Sequence, residues 1–263
     1  RLVMLLVALA FLALIGRAVY LQVVSNEFLQ RQGEMRYGRT IELPASRGKV
    51  LDRNGVVLAS SLPAQAVWAS PEDVKAQPGQ LVQLARLLEM KESEIRRRLA
   101  DEDKTFVYLK RQVDAAVAEK VAELDIPGVH QRKEYKRYYP QGAALAHVVG
   151  FTNVEDAGQE GIELAHEQLL AGKPGSRRVI RDRLGRTIEN VGLIREPRDG
   201  TDLQLSIDSK AQSHAFSALN EAVQAHKAKA GAVVVLDAHS GEVLALANLP
   251  AYDPNQRGQL SGA

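Results

Sequence analysis

The sequence predicts an α+β chain: an apolar helix at the N-terminus, a mixed α and β region, then the opening elements of a larger sheet. Three stretches carry that prediction. Leu2 to Gly16, LVMLLVALAFLALIG, has no polar side chain. Asn54-Gly55, between Val50-Leu51 and Val56-Val57-Leu58, is a strong short hairpin signal. Gly231 to Asn255, GAVVVLDAHSGEVLALANLPAYDPN, sets two apolar runs around Asp237-Ala-His-Ser-Gly241, a loop of hairpin length ending in glycine.

The apolar run comes first. As a helix, Leu2–Gly16 reaches only about 22 Å, short of the roughly 30 Å hydrocarbon core. Continuation through Val24 makes a span of residues 1–24, with Arg17 snorkelling and Tyr20 at headgroup level. A cleaved signal peptide is the alternative, but no small-x-small cleavage site follows the run. Residues 25–46 are a juxtamembrane linker, helical at first and then extended.

The Asn54-Gly55 pair predicts a type I′ turn, which needs positive φ at both residues. Just before it, Ser46-Arg-Gly-Lys49 has the S-x-x-K spacing of a serine nucleophile and its lysine. That chemistry requires a helix start, so that the amine lies one turn on from the hydroxyl. Pro44 and the hairpin sequence after it predict an extended chain instead, where residues three apart face opposite sides.

Residues 64–130 form a small mixed subdomain. Gln65–Ala69 reads as a strand closed by Ser70-Pro71. Leu81, Leu84, Leu87 and Leu88 mark one helix face, and Ile95 and Leu99 a second. Thr105–Leu109 reads as a strand, and Asp114 as the cap of a helix bearing Val117, Val121 and Leu124, stopped by Pro127-Gly128. Arg132 to Pro140, RKEYKRYYP, is the most basic segment and reads as a strand with a solvated face.

His147, followed by Val148-Val149, reads as a satisfied core histidine. Glu160–Leu170 should be one helix, and Arg178–Ile188 two strands around a solvated basic loop. Glu196-Pro-Arg-Asp-Gly200 is a domain boundary. Asp202–Ile207 alternates like a half-buried strand. Asp208 or Ser209 caps the next helix, with Gln212 as capping-box partner to Ser209 and Phe216, Leu219 and Val223 as its apolar face. Neither apolar run after Gly231 alternates, so both strands should be covered on both faces, as part of a domain that residues 201–263 only begin.

Composition narrows the function. Basic and acidic residues number 34 and 32, a net +2, which argues against a nucleic-acid binder. With no cysteine there is no disulfide framework or thiolate metal site. The six histidines have no metal spacing, and no cofactor motif occurs.

Several motifs together resemble class B penicillin-binding proteins. The first runs R-G-x-V-x-D-R-N-G, with Arg47, Gly48, Asp52, Arg53, Asn54 and Gly55. The second holds Arg137, Tyr139, Pro140, Gly142, His147 and Gly150, and the third Gly158, Glu160, Gly161 and Glu163. The stretch containing Asp237 and Gly241 resembles the opening of the penicillin-binding transpeptidase domain. G-F-T-N-V at Gly150–Val154 and G-x-E-G-I-E resemble the division-type members. The resemblance implies a non-catalytic pedestal (dimerisation-type) module over residues 47–200 with an inserted head at 64–130, then the N-terminal part of a transpeptidase domain. It implies a single-pass protein of the bacterial inner membrane at the division septum, with the bulk of the chain in the periplasm. Read naively on Arg17, Arg31, Arg36 and Arg39, the positive-inside rule would put the bulk in the cytoplasm, a vote discounted because the sequence starts at Arg and not Met.

The family's reaction is acyl transfer at a serine, cross-linking peptidoglycan stem peptides, and penicillins acylate the same serine. No S-x-x-K in usable context, S-x-N or K-T-G is present, so no catalytic residue is assigned within residues 1–263. The resemblance also implies partners: the lipid bilayer, an FtsW-type glycan polymerase and other division proteins, with Leu6 and Leu9 as candidate contacts in the anchor. Peptidoglycan itself would be met only through the catalytic domain. The other reading is a stand-alone exported binding or scaffold module.

Overall fold

The computed structural model describes residues 2–20, 38–77, 79–100, 104–181 and 187–256. Its strands are β1 (Gly38–Leu43), β2 (Val50–Leu51), β3 (Val57–Ala69), β4 (Val107–Asp114), β5 (Val129–Tyr138), β6 (Gly175–Arg181), β7 (Thr187–Arg195), β8 (Leu203–Gln204), β9 (Gly231–Leu236) and β10 (Val243–Leu249). The chain divides into two compact units, Arg1–Glu42 with Ser176–Arg195, and Leu43–Gly175 with Glu196–Ala263.

The first unit holds helix Leu2–Val19 and a sheet ordered β1-β6-β7. At 18 residues the helix is about 27 Å long. No helix among the described residues is long and apolar enough to cross a membrane. Residues 21–24, which the expected span requires, lie outside the described residues, as does most of the 25–46 linker.

The second unit is built on β3, which is 13 residues long. Its C-terminal half pairs antiparallel with β4 on one side, and Ser60–Ala69 pairs with β5 on the other. Helices Gln80–Leu87, Glu92–Leu99 and Ala115–Glu123 bury Leu84, Leu88, Ile95, Ala118 and Val121 against Val67, Ala69, Leu109 and Val113. The apolar residues of this cluster, called the head below, fall where the 3.6-residue period put them. A second core gathers Val50, Leu58, Ala59, Tyr139, Leu145, Val149, Leu170 and Ile207. There β2 pairs antiparallel with β3 and parallel with β8.

Local expectations are corrected in several places. In the turn after β2 only Gly55 has positive φ, at 81°. Asp52 accepts from the Asn54 and Val56 amides and its carbonyl from Gly55, so a buried side chain shapes the turn instead of an Asn-Gly pair. Asp114 stands at its helix N-cap without bonding to it. Its carboxylate lies 3.7 Å from Lys136 Nζ.

The helix expected over 160–170 breaks at His166 into Gly161–Ala165 and Glu167–Leu170. The Glu163 carbonyl, which an unbroken helix would use, accepts from Arg47 at 2.7 Å. The alternating strand at 202–207 shrinks to β8. Asp208 is the cap of helix Ser209–Ala225, accepting from the Lys210 and Ala211 amides. Ser209 and Gln212 form no capping box, because both turn inward to other partners.

The β9–β10 hairpin is antiparallel and lies against helix Ser209–Ala225. β10 is covered, with Ala245 and Ala247 buried. β9 is not, and Val234 and Leu236 are each 57% exposed. β9 is the outer strand of a two-stranded sheet, with β10 its one strand partner among the described residues.

Candidate functional site

Three polar motifs far apart in sequence meet at one buried carboxylate. Glu163 is wholly buried and takes a guanidinium on each oxygen: Arg47 Nε at 2.6 Å on Oε2 and Arg137 Nε at 2.7 Å on Oε1. Arg47 arrives on the extended stretch before β2, Arg137 on β5, and Glu163 on the short helix Gly161–Ala165. Arg47 Nη2 also donates to Glu167 Oε2 at 2.7 Å, and Nη1 to the Asp156 carbonyl at 3.0 Å. Arg137 Nη1 donates to Ser61 Oγ at 3.2 Å. Such short, charge-assisted bonds are what allows three charges out of water together.

The electrostatics follow from these contacts. Burial by itself would lower the Arg47 pKa, but Glu167 and Glu163 outweigh it and the value rises. Burial would raise Glu167, yet Arg47 and the Gly158 amide hold it below the usual carboxylate range. The Arg137 position corrects the reading of residues 132–137 as a solvated strand face: Arg132 and Lys133 are exposed, while Arg137 is 1% exposed.

A second junction is made by Asp52, which is fully buried. Oδ1 takes the Asn54 and Val56 amides at 2.8 Å each, and Oδ2 takes the Ser209 hydroxyl at 2.7 Å and its amide at 3.2 Å. Burial would raise its pKa, but the Ser209 hydroxyl and the three amides bring it down to about 2. The first motif is thereby fixed to the start of helix Ser209–Ala225. Arg53 and Asn54 stay near the surface, bonded to Glu242 and Asp208.

The motif glycines mark close backbone crossings. A Cβ on Gly48 would lie 2.1 Å from Thr201 O, and one on Gly158 2.1 Å from Glu163 O. One on Gly150, at φ +75°, would lie 1.9 Å from Glu160 O, and Gly161 faces the Gly150 amide in return. Gly142 has φ +51° with only Asp253 nearby.

The second motif also receives the segment after β10. Asn255 accepts from the Tyr139 amide at 3.0 Å and donates to the Tyr139 carbonyl at 2.9 Å. The Tyr252 hydroxyl donates to Glu160 Oε2 at 2.8 Å, and burial with that carboxylate raises its pKa. His147 Nε2 lies 3.1 Å from the Pro250 carbonyl and its ring meets Tyr252 edge-on, so it is satisfied, but half-buried at the surface and not in the core. Pro140 is exposed beside the buried Tyr139, whose hydroxyl accepts from the Thr152 amide. Asp237 accepts from the His239 and Ser240 amides and Gly241 takes φ +75°, closing the β9–β10 turn. Leu6 and Leu9 lie exposed on helix Leu2–Val19.

Sequence reading missed three of these side chains. Gln212 is fully buried, donating to the Ala144 and Leu246 carbonyls and accepting from the Leu246 amide. Its signal was available, since it continues the Phe216–Leu219–Val223 stripe at helical spacing. Tyr252 and Asn255 had none beyond membership of the final motif. Ser46 and Lys49 lie in chain without helix, their amides bonded to Asp199 and Asp202. No group of metal-ligating side chains occurs among the described residues. The geometry is that of a polar junction whose buried charged and hydroxyl groups are engaged with one another.

The buried charges tie together three motifs far apart in sequence, and the family they belong to is shown by comparison. Residues 42–205 match the penicillin-binding protein dimerisation domain, and the chain belongs to that family. Over 261 residues it is 46% identical to the probable peptidoglycan D,D-transpeptidase PenA of Neisseria gonorrhoeae, covering 98% of this chain and 45% of that one. It is 41% identical over 256 residues to the peptidoglycan D,D-transpeptidase FtsI of Escherichia coli (strain K12), covering 95% and 43%. The chain thus spans a little under half the length of these curated relatives. A crystal structure of penicillin-binding protein 2X from Streptococcus thermophilus shares the fold, with a TM-score of 0.58 at 23% identity over 85% of this chain and 37% of that one.

Proposed function

We propose that this chain is the membrane-anchored, non-catalytic part of a septal peptidoglycan D,D-transpeptidase. Residues 1–24 anchor it, residues 47–200 form the pedestal with its head at 64–130, and residues 201–263 begin the transpeptidase domain. The bulk lies in the periplasm, and an FtsW-type glycan polymerase and other division proteins are its partners. The observation that carries this reading is the convergence of Arg47, Arg137 and Glu163 inside a stretch matching the dimerisation domain. A module so built holds a catalytic domain in place and does no chemistry of its own. The relatives' names supply the transpeptidase activity.

Two experiments test it. Incubation of the 263-residue chain with a fluorescent penicillin, followed by a denaturing gel, gives no labelled band; a labelled band refutes the non-catalytic reading. Co-purification with an FtsW-type polymerase falls when Leu6 or Leu9 becomes aspartate, and unchanged recovery refutes the anchor's role.

A further inference from the structure

The hairpin β6–β7 stands apart in charge. Its two strands carry Arg177, Arg178, Arg181 and Arg195 against Glu189, more net positive charge than the +2 of the whole chain. Large apolar side chains lie among these arginines in the open: Leu193 is 47% and Ile194 56% exposed. The register sets Arg177 opposite Leu193, Arg178 opposite Gly192 and Ser176 opposite Arg195. β7 is an edge strand of its three-stranded sheet. An edge rich in arginine is one device against strand-to-strand aggregation, but two adjacent exposed apolar residues work against that purpose.

We infer that one face of the β6–β7 hairpin docks on the headgroups of an anionic phospholipid surface, Arg177 and Arg195 meeting phosphate while Leu193, on the same face, enters the interface. Charge complementarity favours this occupant. So does the composition of the unit, which also holds the apolar helix Leu2–Val19 with Leu2, Met4, Leu6, Leu9 and Phe11 exposed. A basic patch carried beside an apolar segment adds electrostatic attraction to anionic lipid, and arginine stems can lie along apolar surface with their heads at the phosphates. The inference rests on the anchor reading above.

The test uses the full chain in lipid nanodiscs of phosphatidylcholine alone, or with roughly one third phosphatidylglycerol. The sequence has no cysteine, and a Cβ at Gly192 meets nothing within 4 Å, so the Gly192→Cys variant carries a single dye without crowding. Quenching by a headgroup-labelled lipid should be greater in the anionic discs, should fall in high salt, and should drop about fivefold in apparent affinity per Arg177→Gln or Arg195→Gln replacement. Equal quenching in neutral and anionic discs, or no effect of the arginine replacements, overturns the lipid inference alone and points to a protein partner. Failure of the chain to enter either disc overturns the anchor reading and this inference with it.

Discussion

Asp52 accepts the hydroxyl of Ser209 at 2.7 Å across 157 residues of chain. A side chain in the turn after β2 thereby fixes the start of helix Ser209–Ala225. Both ends of the bond are buried.

The pH dependence of this contact has a definite sign. The Asp52 carboxyl is held down to about 2, below its unfolded value of about 3.9. Its stabilisation is complete above the unfolded value and is lost as pH falls through about 2. Asp52→Asn removes that acid-side slope. It also leaves an amide facing N–H donors, at a cost of about 1–3 kcal/mol near neutrality. Urea unfolding from pH 7 down to 2 should show the two proteins converging at the acid end, and a constant gap would disprove the assignment.

Glu163→Gln removes the buried carboxylate that both guanidiniums share, leaving Arg47 with Glu167 and Arg137 with neutral acceptors such as Ser61. The expected loss is about 3–5 kcal/mol, read as a shift in denaturant midpoint at unchanged slope. Replacing Arg47, Glu163 and Arg137 together by apolar residues of similar volume should cost less than Glu163→Gln, because no fully buried charge remains there and Glu167, which loses Arg47, is partly open to solvent. A triple variant less stable than the single one contradicts this account.

The glycines should separate into two groups. Gly55→Ala has φ +81° but open space around the new Cβ, and should cost about 1–2 kcal/mol from backbone strain alone. Gly150→Ala adds a Cβ 1.9 Å from the Glu160 carbonyl, which is backbone and cannot rotate away. It should lower the melting temperature much further or prevent folding. Equal thermal shifts would show that the crossing is more pliable than it looks.

Asn255→Ala removes both bonds to the Tyr139 backbone, at about 1 kcal/mol per bond. Hydrogen exchange at the Tyr139 amide should speed up while exchange within the head, for example at Leu84, stays as it was. Acceleration in both regions would mean that the strap holds more than its own site.

What was legible in the sequence was whatever repeats with a local period. The head helices followed from Leu81, Leu84, Leu87 and Leu88, and from Ile95 and Leu99. The hairpin positions followed from Gly55 and Gly241. Caps were less legible: Asp114, Asp208 and Ser209 are all competent cap residues, and only Asp208 bonds to its own helix. The competition between a local amide and a distant partner is settled by packing.

The sequence by itself determined the α+β class, the order of elements and the motifs that mark the family, since each depends on neighbours a few residues away. It also excluded a serine–lysine pair at Ser46–Lys49. Only the tertiary structure decided that Arg47, Arg137 and Glu163 form one unit, that Asp52 belongs to Ser209, and that Gln212 faces inward. Nothing in the local chain distinguishes a solvated arginine from a buried one. The difference is the desolvation penalty, and whether it is offset depends on a carboxylate brought close by folding from 26 or 116 residues away.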